Sequence, residues 1–143
     1  MFRAAMIALA LAFSANATAD TLKNEAELRA LTDRVMGALT SSGVSAAFER
    51  MKPYALVTGS EFESLSLASK SQRDQFGARY GKTIGFEFIA QKKVGDSLVR
   101  IIYIERTEKH ALPWIFYFYK TPSGWALNSF SWNDRMPQIF DQN

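Results

Sequence analysis

Nucleophilic and acid-base chemistry needs reactive side chains held beside one another, and this chain offers few of them. It has one histidine, His110, and no cysteine. A serine or threonine nucleophile needs a base against it, but His110 adjoins Lys109 in a stretch that reads as a turn, the usual place for a solvated imidazole. The usual zinc sets take three or four thiolate or imidazole ligands, so a single His without Cys excludes them. No metal and no cofactor is expected. Phosphate-cradling glycine loops follow a strand; Gly77, Gly81 and Gly85 recur every four residues and follow none. Carboxylates remain. Glu105 and Glu108 flank a turn, Glu87 lies in an alternating run, and Asp134 follows the last such run. Acid-base work would need two of these in a cleft with displaced pKa values, and no spacing marks such a pair. No catalytic residue is assigned, and the expectation is a protein that is not an enzyme.

Residues suited to binding are more plentiful. Tyr103, Tyr117 and Tyr119 are amphipathic aromatics of the kind used at ligand and subunit contacts. Arg100, Glu105 and Asn128 are polar residues set in otherwise apolar runs, where each points either into a pocket or onto a wet strip. These six are the candidate ligand- or partner-binding residues.

The elements that must position them fall into two halves. Leu28, Leu31, Val35 and Leu39 mark one face of a helix that Ser41-Ser42-Gly43 ends. Val44, Ala47, Phe48 and Met51 mark a second, stopped near Pro53 because the residue before proline leaves the helical region. Ser60 and Glu63 have capping-box spacing for a third, with Phe62, Leu65, Phe76 and Tyr80 inward. Ser64, Ser66, Ser69 and Ser71 weaken its middle, so it is expected to break or end early, at Gly77 or Gly81.

From Lys82 the period changes to two. Ile84, Phe86 and Phe88 alternate with Gly85, Glu87 and Ile89; a two-residue Gly95-Asp96 turn leads into Leu98 to Glu105. Leu112 to Tyr119 forms a third strand, Thr121-Pro122-Ser123-Gly124 a turn, Trp125 to Trp132 a fourth strand, and Met136 to Phe140 a short closing turn or helix. Short turns force antiparallel pairing, giving an α+β domain: N-terminal helices on a four-stranded meander. The third strand is apolar on both sides, with Trp114, Phe116 and Phe118 against Ile115, Tyr117 and Tyr119. The second sets Ile101 and Tyr103 against Leu98, Ile102 and Ile104. Both faces of such a sheet need cover, since monomers rarely expose large apolar patches. A homodimer through the sheet face, a small apolar ligand or an envelope protein would each supply it.

The first 19 residues read as a cleavable secretory signal: Arg3, an apolar run from Ala4 to Phe13, then Ala17-Thr18-Ala19 before Asp20. Ten apolar residues span about 15 Å as a helix, half of a bilayer core. The expectation is a periplasmic or secreted domain over residues 20–143, held without disulfides and without a membrane span. Its net charge, about +2 after loss of Arg3, is too small and too mixed to indicate nucleic acid.

The order of elements over about Leu22 to Phe140 resembles the NTF2-like, or cystatin-like, α+β domains. The stretch from Trp114 to Lys120, followed by Trp125 to Phe130, is similar to small exported bacterial proteins of unknown function. The resemblance implies helices against a strongly curved sheet. Its members include isomerases, dehydratases, transport factors and binding modules, so the fold does not select a function. Two readings follow: a non-catalytic module using the aromatic sheet, or an NTF2-like enzyme acting on a small hydrophobic substrate. The enzyme requires a closed pocket with a buried carboxylate, Glu87 or Glu105 being the candidates.

Overall fold

The computed structural model describes residues 19–141. The expected leader lies outside the described residues except for Ala19.

Helix α1 spans Glu25–Ser42. The Asn24 side chain caps it by accepting from Glu27 N at 3.0 Å, and Glu27 accepts in turn from Lys23 N at 2.7 Å. Leu28, Leu31, Val35 and Leu39 are buried, as their spacing predicts. Gly43, with φ 94°, turns the chain into α2, Val44–Met51, which buries Val44, Ala47, Phe48 and Met51. A single 3-10 turn over Lys52–Tyr54 carries Pro53.

Helix α3 corrects the sequence reading. It runs unbroken over Gly59–Tyr80, and its capping box is Thr58 with Glu61, two residues before the expected pair. Two exposed residues ahead of Phe62 are thereby added to the helix. The serines do not break it: Ser64 Oγ donates to Ser60 O within the helix, and the exposed Lys70–Asp74 pair one turn apart supports the middle. Gly77 is tolerated in the interior, and Gly81 ends the helix. Only Phe62 and Tyr80, near its two ends, are fully buried; Leu65, expected inward, is exposed.

The four strands are β1 (Thr83–Val94), β2 (Leu98–Thr107), β3 (Ala111–Thr121) and β4 (Gly124–Trp132). They pair in sequence order as an antiparallel meander. The β1–β2 turn holds three residues, Gly95 to Ser97, because Val94 pairs with Leu98; the expected two-residue turn is one residue short. Register shifts lie between Thr83 and Gly85 and between Phe88 and Ala90 in β1, and at Asn128 in β4. The first leaves Ile84 out of the alternation and exposed.

The sheet is not strongly curled, contrary to what the NTF2-like resemblance implied. β-Bulges bend and twist the strands that carry them. Here they occur only in the outer strands, while the central β2–β3 ladder is unbroken from Leu98↔Tyr119 to Arg106↔Ala111.

The helices cover one face, termed inner. The main core joins residues such as Leu28, Val35, Phe48 and Phe62 to Ile101, Tyr103, Trp114, Phe116 and Phe118. Each large side chain buried there contributes about 1.5–3 kcal/mol. On the outer face a smaller cluster joins Ile102 and Ile115 to Ile139 of α4, Pro137–Asp141. Ile89, Ile104 and Tyr117 pack around it. The chain's first described residues also join the sheet: Leu22 and Trp125 exchange two backbone bonds of 2.8 Å, and Asp20 N donates to Pro53 O at 2.7 Å.

Candidate functional site

The six candidate residues do not form one site. Strand alternation sends Tyr103 and Glu105 to the inner face and Arg100, Tyr117 and Tyr119 to the outer face. Asn128 occupies the β4 bulge and is exposed, its side chain near Ser129.

On the inner face, Glu105 is fully buried beneath α3. Arg73 of α3 meets it with both guanidinium nitrogens, Nη1 to Oε2 at 2.6 Å and Nη2 to Oε1 at 2.5 Å. Thr83 Oγ1 donates to Oε1 at 2.9 Å and Trp114 Nε1 to Oε2 at 3.0 Å. Four donors thus meet a carboxylate that has about four acceptor positions. The Arg73 guanidinium also lies 5.1 Å from the Trp132 ring, which stacks on Trp114 at 6.2 Å. Trp132 Nε1 donates to Ser69 Oγ, one turn before Arg73, at 3.2 Å. The sequence reading missed Arg73. Its signal was present: Phe62, Ser69, Arg73, Phe76 and Tyr80 share a helical face, and a cation on an inward stripe requires a buried anion.

A second polar cluster joins β2 to α1. Tyr103 donates its hydroxyl proton to Asp33 Oδ1 at 2.5 Å, with Thr32 Oγ1 2.9 Å away. Arg29 bonds Asp33 at 3.1 Å and lies 3.4 Å over the Phe88 ring. Burial, and next the hydrogen bond to Asp33, push the Tyr103 phenol well above the usual tyrosine range. It is a neutral donor throughout the physiological range.

The other carboxylates are dispersed. Glu87 is exposed on the outer face. Glu108 accepts from Lys82 N at 2.8 Å and its Cβ lies against Gly81. Asp134 is 4.0 Å from Arg79. His110 stands beside the Tyr80 ring at 5.3 Å, with its backbone tied to Thr107. No group of three or more potential metal ligands occurs among the described residues.

The outer face is built in rows. Ala90, Ile102, Ile115 and Ser131 are aligned across the strands, as are Lys92, Arg100, Tyr117 and Ser129. The row of Val94, Leu98, Tyr119 and Ala126 lies nearest the β1–β2 turn. Three of its members are solvent-exposed: Val94 at 58%, Leu98 at 47% and Tyr119 at 40%. A shallow apolar depression of about 200 Å³ opens there, with Arg100 and Tyr117 in its lining.

Comparisons with protein-family models, curated proteins and solved structures return no match. The chain is therefore placed by its architecture: a small α+β domain with aromatic clusters on its sheet. No helix among the described residues is long and apolar enough to cross a membrane.

Proposed function

We propose that this chain is an exported, non-catalytic binding module of NTF2-like arrangement whose outer sheet face docks a second copy of itself. The observation that carries this reading is the exposed row of Val94, Leu98 and Tyr119. These side chains stand on a sheet without strong curl, beyond the reach of the Ile139 cluster. An apolar row on a sheet without strong curl can lie against its own copy about a two-fold axis, each row meeting the partner's, at the usual sheet-to-sheet spacing of about 10 Å. Burial of Arg73 and Glu105 against each other favours this over the enzymatic reading. Glu105 meets the requirement for a buried carboxylate, but its acceptor positions are taken by Arg73, Thr83 and Trp114. Export fits an N-terminal edge at which Asp20 and Leu22 already belong to the fold.

Sedimentation equilibrium and native mass spectrometry of the exported chain test the proposal. The expected species is a dimer of chains beginning at Asp20, converted to monomer by Leu98→Asp with its circular dichroism unchanged. A wild-type monomer with no bound molecule would sink the docking reading. A monomer retaining an apolar molecule would replace the second copy by a small ligand. A chain still carrying the apolar run from Ala4 to Phe13 would remove the export assignment.

A further inference from the structure

The inner face holds an arrangement that the proposed dimer does not use. Glu105 and the stacked Trp114–Trp132 pair form a receptor for a planar cation: a buried carboxylate with two oxygens forward, and an aromatic ring face alongside. Guanidinium groups fit this chemistry through paired N–H donation and ring stacking. The occupant in this structure is the molecule's own Arg73. It is carried by the longest helix, α3, of which only Phe62 and Tyr80 are fully buried. Between them its ties to the sheet are polar: Arg73 to Glu105, and Ser69 to Trp132. Beside Arg73 lies a cleft of about 520 Å³ between α3 and the α1–α2 corner, with Thr83 at its wall. Its size suits a small molecule.

We infer that Glu105, Trp114, Trp132 and Thr83 form a binding site for a small alkylguanidinium, occupied in the closed state by Arg73 and opened when the middle of α3 lifts from the sheet. Arg73 then acts as a tethered competitor. Lifting exchanges one guanidinium for another at the same carboxylate, so Glu105 is never left buried without a cation. The inference concerns the inner face and stands whether or not the outer face dimerises.

Two measurements on the full chain test it. In native-state hydrogen exchange, amides of α3 between Ser66 and Gly77 are expected to exchange at least about tenfold faster than those of β3, through an opening below the global one. Exchange of both only by global unfolding would overturn the lifting step. In Arg73→Ala, ethylguanidinium is expected to raise the melting temperature saturably and to move the Trp114 indole N–H resonance. Arg73→Ala with Glu105→Gln should show neither effect. An equal rise in the double variant, or none in Arg73→Ala, would overturn the site. If Arg73→Ala does not fold alone, recovery of folding by ethylguanidinium supports the site, and failure of recovery counts against it.

Discussion

The two faces of the sheet solve the same problem with different means. The inner face is covered by three helices and filled by large aromatics, with Tyr103, Trp114 and Phe116 fully buried. Among the described residues the outer face has only α4 above it, and its core is aliphatic, formed by Ile102, Ile115 and Ile139. The inner face also contains charges, and they are paired: Arg73 with Glu105, and Arg29 with Asp33. The outer face instead leaves an apolar row in water. The difference shows that two-sided apolar strands do not imply two equal cores. One side buries a full core, and the other leaves Val94, Leu98 and Tyr119 exposed.

The largest expected effect comes from the inner face. Trp114→Ala removes a ring that packs on Phe116 and Trp132 and donates to Glu105. It should cost about 4 kcal/mol in urea unfolding. On the outer face Ile139→Ala, at the edge of a small cluster, should cost about 2 kcal/mol in the same measurement. Equal losses would mean that the outer cluster is a second full core and would end the contrast.

A smaller effect sharpens the polar side of the comparison. Tyr103→Phe deletes the hydroxyl that joins Thr32 and Asp33 and should cost about 1 kcal/mol near neutral pH. The folded-state pKa of Tyr103 is raised, so the folded protein holds this proton more tightly than the unfolded chain does. Its contribution is complete below the unfolded tyrosine value of about 10 and falls as pH rises through the folded value. Denaturant titrations at increasing alkaline pH should therefore show a shallower loss for Tyr103→Phe than for wild type. Parallel losses would show that the phenol does not carry the alkaline dependence.

Much of the architecture was legible in the sequence because it is local. The spacing of Leu28, Leu31, Val35 and Leu39 identifies a helix face, and the alternation of Trp114 to Tyr119 divides β3 between two faces. Even where helix α3 was expected to break, Phe62 and Tyr80 were correctly placed inward. The candidate site was less legible. Arg100, Tyr103, Glu105, Tyr117 and Tyr119 could be named as unusual for their strands, but alternation divides them between opposite faces.

What the sequence determined by itself was the order of the elements, the face that most core side chains take and the absence of disulfide support. Backbone geometry repeats every 3.6 or two residues, so these features need only neighbours along the chain. What only the tertiary structure decided was how the buried charge is satisfied, that the sheet does not curl strongly and which apolar row stays open. Glu105 meets Arg73 across 32 residues, in a bond set by where α3 lies on the sheet. The lack of strong curl goes with register shifts confined to the outer strands. The open row follows from the short reach of a five-residue helix. Each depends on distances between elements, which local periodicity does not encode.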